Sequence, residues 1–237
     1  FDIHGNIDAL DAVLADVAAA GCEGLVLGGD YAYMGPAPDD CVERLREYPG
    51  RVVAILGNTD RMIAHGDDAV AEWAADRLGD DRVSWLGGLQ PARVLPEHDA
   101  LIVHAVPGDD ERRLLPDTPD AQAETMVASV GGATLLCGHV HLQYTRRVGV
   151  VEVVNPGSVG FPFDGDPAAA WAIIEAGQVE LRLAIKAGSV LEDDDQQGLA
   201  HFTEHMAFNG STHFRGNALV SFLQSIGMRF GADLNAY

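Results

Sequence analysis

Apolar positions in the first half of the chain alternate between helical spacing and short unbroken runs. Over 9–20, Leu10, Val13, Leu14 and Val17 recur at helical spacing and Gly21 supplies the stop. Leu25-Val26-Leu27 is a compact apolar run closed by Gly28-Gly29-Asp30, which predicts a buried strand with Asp30 at its carboxyl end. Asp39-Asp40 is the expected cap of a short helix carrying Cys41, Val42 and Leu45. A second strand is expected over 52–56, closed by Gly57-Asn58-Thr59-Asp60, and an Ala-rich helix over about 67–78. Strand and helix in alternation predict an α/β fold with a parallel sheet.

The rhythm then changes. Short strands are expected over 92–95, 100–104, 134–137, 143–147 and 150–154, with one clear helix between them at about 121–130. Segments 171–174 and 179–184 form a closing hairpin around Gly177. The second half therefore adds a second sheet packed on the first.

Composition bounds the function. Of 237 residues, 47% are hydrophobic, enough for a large core. No run reaches the ~18 apolar residues of a membrane span. No basic segment leads into an apolar signal core, although the chain opens on Phe1, not Met, and reads as cut. The formal net charge of −21 repels nucleic-acid backbones and anionic lipid, so neither nucleic acid nor membrane is an expected partner. A phosphorylated substrate then needs local cations to reverse the sign. Cys22, Cys41 and Cys137 are odd in number and far apart, and read as buried thiols of the cytoplasm, not a disulfide framework. Nothing in the composition sets the oligomeric state.

The chemistry is concentrated where apolar runs end. Asp2-Ile3-His4-Gly5-Asn6 places an acid and an imidazole two residues apart, on one side of an extended segment, before a turn that Gly5 permits. Asp30, Asn58, His104 and the pair His139 and His141 each follow an apolar run. Seven oxygen and nitrogen donors suit two borderline-hard divalent ions, with Asp30 the natural bridge. Two bridged ions clamp the attacking and leaving oxygens of an in-line phosphoryl displacement, and a water of lowered pKa supplies the nucleophile. Asp30, Asn58 and His104 are the candidate catalytic residues.

Asp2-Ile3-His4-Gly5-Asn6, Gly29-Asp30, Gly57-Asn58-Thr59-Asp60, His104 and Gly138-His139-Val140-His141 resemble, in order, the motifs of the calcineurin-like metallophosphoesterases. Asn155-Pro156-Gly157-Ser158-Val159-Gly160 resembles the segment that follows in the small bacterial and archaeal phosphodiesterase branch. The resemblance covers about 1–183 and implies a four-layer α/β/β/α sandwich. It also implies Asp2, His4, Asp30 and His141 as ligands of a first metal, and Asp30, Asn58, His104 and His139 as ligands of a second. Mn²⁺, Zn²⁺, Fe or Ni would suit such a site, and the substrate would be a small phosphate ester. Two departures stand out. Thr59 occupies the place where many relatives carry a His that assists the leaving group, and a threonine is no general acid at neutral pH. Relatives also have an apolar strand before the Asp-x-His motif, where this chain has only Phe1. The sandwich is therefore expected to lack its first strand, with Asp2 and His4 frayed and weakly held.

Composition shifts near 181–187. Lys186 is the only lysine, and Phe202, Phe208, Phe214, Phe222 and Phe230 follow it closely. His201 and His205 are four apart, so on a helix they share a face with Glu204 between them as a candidate base, the H-x-x-E-H arrangement. Residues from about 184 to 237 resemble the amino-terminal zinc-binding segment of pitrilysin-type metallopeptidases, which implies Zn²⁺ on His201 and His205. The expected organisation is a phosphoesterase domain over 1–183 and a partial α+β peptidase fragment over 184–237. The competing functions are a zinc peptidase carried by the tail and an inactive chimeric remnant.

Overall fold

The computed structural model describes residues 1–166, 168–175 and 177–184. The chain divides into two units, Phe1–Ile185 and Lys186–Tyr237, and the described residues belong to the first. His201, Glu204 and His205 lie outside them.

Helix α1 (Ile7–Ala19) starts at Asn6, whose side chain accepts the Ala9 N–H at 3.1 Å. It leads through Gly21 to β1 (Gly24–Leu27), α2 (Pro38–Arg46) and β2 (Arg51–Ala54). Asp39 and Asp40 do not cap α2, as the sequence suggested. Pro38 takes the first helical position, where its missing N–H costs nothing, and the two acids sit in the first turn against the positive end of the helix dipole. A helix absent from the sequence reading follows, α3 (Asn58–His65), closed by Gly66 in the left-handed conformation. Helix α4 (Ala69–Gly87) is longer than expected because it merges two helical runs across Gly79, whose φ is 74°.

Beyond it lie β3 (Ala92–Leu95), β4 (Ala100–Val103), α5 (Asp120–Val127), β5 (Thr134–Leu136), β6 (Gln143–Val148), β7 (Val151–Pro156), β8 (Ala169–Glu175) and β9 (Gln178–Ala184). Strands β1 and β2 pair in parallel. A second sheet runs β3-β4-β5-β7-β6, parallel at its centre and antiparallel at both edges. Strands β8 and β9 form the expected hairpin.

Alternation along each strand sorts side chains into layers. Leu25 and Leu27 face α1, α2 and α4 in one core, while Val26 between them faces the other way. Leu135 and Val153 pack with Ala123, Met126 and Val127 of α5. Leu136 and Val154, one residue on, meet Ile55, Leu95 and Ile102 in a third core with Val26 and Val53 beside it. The order is helices, sheet, sheet, helix. Every central strand is covered on both faces, which is why these strands read as unbroken apolar runs.

Alongside β1, which pairs with β2 alone among the described strands, lies a cavity of about 920 Å³ lined by Phe1, Ile3, Val26, Leu136, Val154 and Ile174, among others. The chain start beside it is nevertheless held on both sides. The N–H groups of Asp2, Ile3, His4 and Gly5 donate to the carbonyls of Gly29, Asp30 and Tyr31 at 2.8–3.0 Å. Val159 and Gly160 donate to the carbonyls of Phe1 and Asp2 at 3.1 and 3.0 Å. The fraying expected of Asp2 and His4 is not what the structure shows. Among the described residues, no helix is long and apolar enough to cross a membrane.

Candidate metal centre

Five of the seven predicted ligands converge at the ends of the two sheets. Asp2 and His4 come from the chain start, Asp30 from the turn after β1, His104 from the end of β4 and His141 from the loop after β5. The Asp2 carboxylate lies 3.3 Å from His141 Nε2 and 4.0 Å from both His4 Nε2 and His104 Nε2. Asp30 Oδ2 lies 3.4 Å from His104 Nε2 and 3.8 Å from His4 Nε2. Two groups of three result, Asp2 with His4 and His141, and Asp2 with Asp30 and His104. Asp2 is common to both, and Asp30 reaches a histidine of each. His139 stands against the His104 ring at a centroid separation of 5.3 Å, and its backbone N–H donates to Asp2. Asn58 opens α3, next to Thr59, whose N–H donates to Asp30 Oδ1 at 3.0 Å.

The route to this convergence differs from the sequence reading. Asp2 and His4 do not share one side of an extended segment. Asp2, His4, Asp30, His139 and His141 all have φ between 50° and 68°. Side chains seldom adopt this left-handed region, and Asp and His are among those that tolerate it best. Ile3 and Val140, between these pairs, are buried in the cores, while Asp2, His4 and His141 meet at the centre. Such strain persists where surrounding bonds over-determine it, and it clusters at functional sites.

Those bonds are present. His4, His104 and His141 use Nδ1 on the carbonyls of Tyr33, Gly28 and Phe161, at 3.1, 2.8 and 2.6 Å. Each therefore donates Nδ1–H outward and turns the Nε2 lone pair inward, as metal-ligating histidines do. His139 instead uses Nε2 on the Glu111 carbonyl at 2.9 Å.

Asp60, in the sequence no more than a motif residue, ties the site together. Its carboxylate accepts the N–H groups of Asp30, Tyr31 and Gly57 at 2.8–3.0 Å, fixing the Asp30 turn to the start of α3. Asn155 donates to the Gly138 carbonyl and accepts the Gly157 N–H. The Ser158 hydroxyl donates to the Asp2 carbonyl at 2.7 Å and accepts the Phe161 N–H at 2.8 Å. One signal pointed to these residues: polar side chains directly after apolar runs. Their role as supports is set by partners remote in sequence, which no local pattern carries.

Charge is finely balanced. Burial alone raises the Asp30 carboxyl, but His104 and His4 beside it hold it well below the usual carboxylate range. Burial lowers His104, and Asp30 and Asp2 outweigh that, lifting it to about 10, so a cation bound here would take the place of a proton on Nε2 and free its lone pair. Asp60 has no cation beside it, so burial and the Asp30 charge push it up to about 7. Burial lowers His4 and His139.

The donor set fits divalent cations. Asp2 Oδ1, Asn58 Oδ1 and His104 Nε2 are buried and make no hydrogen bond. His4 Nε2 and His141 Nε2 face each other at 3.2 Å with both Nδ1 atoms already committed. Opposed lone pairs and orphaned acceptors are costly unless a positive charge sits among them. Mixed imidazole and carboxylate ligands suit borderline divalent ions.

The described unit is thus a double sheet flanked by helices, with histidines and carboxylates at the strand ends. Residues 2–178 match the family model described as calcineurin-like phosphoesterase superfamily domain, and the chain belongs to that superfamily. Phosphodiesterase YfcE of Escherichia coli is 28% identical over 180 residues, covering 71% of this chain and 81% of that protein. The crystal structure of a metallophosphoesterase from Sphaerobacter thermophilus superposes with a TM-score of 0.65 at 23% identity, over 87% of this chain and 91% of that one, a likeness of fold. Residues 173–237 match a second model, insulinase (peptidase family M16). There the chain is 52% identical over 60 residues, 25% of its length, to the probable zinc protease PqqL of Haemophilus influenzae, and spans only 6% of that protein.

Proposed function

We propose that the protein hydrolyses small phosphodiesters at a dinuclear metal site held by Asp2, His4, Asp30, Asn58, His104, His139 and His141. The observation that carries this reading is the inward convergence of three Nε2 lone pairs on two buried carboxylates, with orphaned acceptors between them. Mn²⁺, Zn²⁺, Fe or Ni, when bound, would polarise phosphoryl oxygens and lower the pKa of a water. The chain's own groups do the rest. Asp30, between His4 and His104, is the proposed bridge. Backbone carbonyls hold the imidazoles in their ligating tautomer. Thr59, whose N–H holds Asp30, offers a hydroxyl that is no acid at neutral pH, so substrates with good leaving groups are favoured. The net charge of −21 supports a small substrate over a polyanion.

With Mn²⁺, the protein is expected to hydrolyse bis(p-nitrophenyl) phosphate; no turnover with any of the four metals overturns the reading. A second reading, a zinc peptidase using His201, Glu204 and His205, is favoured by the match over 173–237. Cleavage of an unstructured peptide without phosphodiester turnover would reverse the ranking.

A further inference from the structure

The rim of the centre carries a feature the metal chemistry does not use. Phe161 and Phe163 are 41% and 58% exposed, large apolar side chains left in water beside a site of charged groups. Their rings are 5.0 Å apart and edge to face. Phe161 stands edge-on to His4 and His141, at 5.9 and 5.8 Å. Phe163 stacks on His141 at 4.5 Å with 28° between the planes. One face of Phe163 is thus spent on a proposed ligand, which leaves the other as the source of its exposure.

The pair is fixed in place. The Phe161 N–H donates to Ser158 Oγ at 2.8 Å, and the Phe161 carbonyl accepts from His141 Nδ1. The Phe163 N–H donates to the His141 carbonyl at 3.1 Å, and Pro162 stiffens the link between them. Exposed apolar rings held this firmly lose little entropy when a ligand docks. A flat aromatic face binds other flat rings by stacking, without needing charge.

We propose that Phe163, backed by Phe161, is a stacking platform for an aromatic ester group of the substrate, so that the preferred substrates are phosphodiesters bearing an aryl or nucleobase-like ring. This rests on the phosphodiesterase reading and adds the substrate class to it. Cations held by the metal-site residues would take the phosphate, and the platform takes the ring attached to it.

The test compares bis(p-nitrophenyl) phosphate with methyl p-nitrophenyl phosphate, which share a leaving group and differ in the second ester. The ratio of their kcat/KM values is measured in the Mn²⁺-loaded full chain and in Phe163→Ser and Phe163→Leu. Calorimetry of phenylphosphonate against methylphosphonate reads the platform without turnover. The expected result is an aryl preference in both measurements that falls about tenfold in Phe163→Ser. It should fall in Phe163→Leu as well, which keeps apolar bulk but loses the flat face, so a poorly folding serine variant does not decide the matter. Aryl preference in binding with no turnover of either diester keeps the platform and removes the phosphodiesterase reading. Turnover with no aryl preference, or with a preference that neither variant changes, overturns the platform. An equal fall on both substrates shows that Phe163 only orients His141, and overturns it too.

Discussion

Asp60 shows how much of the site rests on one side chain that touches no substrate. Its carboxylate takes three backbone N–H groups from the turns that carry Asp30 and Asn58. Removing it leaves three buried donors unpaired, each costing ~1–3 kcal/mol. Asp60→Ala should therefore lower the melting temperature by several degrees, and the retained metal, measured by elemental analysis, should drop with it. Full metal content in Asp60→Ala would mean the two turns hold themselves. Asp30→Ala is a contrasting case. It removes a proposed ligand at a strand end, so activity should fall ~10²–10³-fold or more while circular dichroism stays unchanged. The identities of the ligand candidates were legible in the sequence because each follows an apolar run. Their geometry was not. The sequence suggested that Asp2 and His4 converge by strand alternation, whereas they converge through left-handed turns fixed by bonds to residues 29–31 and 158–160. Such bonds depend on tertiary partners, and a reading of local periodicity cannot supply them.

At the scale of elements, strands were read well and helix ends less so. The runs around 25–27, 92–95 and 179–184 are short, apolar and bounded by turn residues, so their bounds came out close. Helix α3 is not legible in the sequence because it is only eight residues long and begins inside the Gly57–Asp60 turn motif, and Asp60 accepting the Gly57 N–H is what seeds it. The cavity beside β1 makes a further test at this scale. Val26, Leu136, Val154 and Ile174 line one part of it and belong to the third core, while Arg51, Glu97 and Arg182 line another. Each apolar side chain buried there contributes roughly 1.5–3 kcal/mol. Val26→Ala, which truncates a side chain on this wall, is expected to lower the melting temperature by a few degrees. An unchanged melting temperature would show that Val26 contributes no packing there.

The whole molecule joins two sequence languages, and the function proposed needs only one of them. Every proposed phosphoesterase ligand lies in the unit Phe1–Ile185. So do Asp60, Asn155 and Ser158, which hold the ligand loops, and so do Phe161 and Phe163 at the rim. The match to the peptidase model begins at residue 173, so it overlaps β8 and β9, where Trp171 and Ala184 are buried in the core over α1. A deletion that begins at Lys186 spares that hairpin, whereas one that begins at residue 173 removes Ile174, Val179 and Leu181 from around the central core and Ile173 from the core over α1. Deleting 186–237 is therefore expected to leave kcat/KM for bis(p-nitrophenyl) phosphate within about twofold of the full chain, the span usual for changes that touch no site group. Deleting 173–237 should abolish activity by unfolding, visible as a lost thermal transition. Added Mn²⁺ should raise the melting temperature of the 1–185 protein as it does that of the full chain, because an ion that binds only the folded state stabilises it by mass action. If 1–185 folds with a normal transition but neither binds Mn²⁺ nor turns over the diester, the tail contributes to the centre and the one-unit assignment falls.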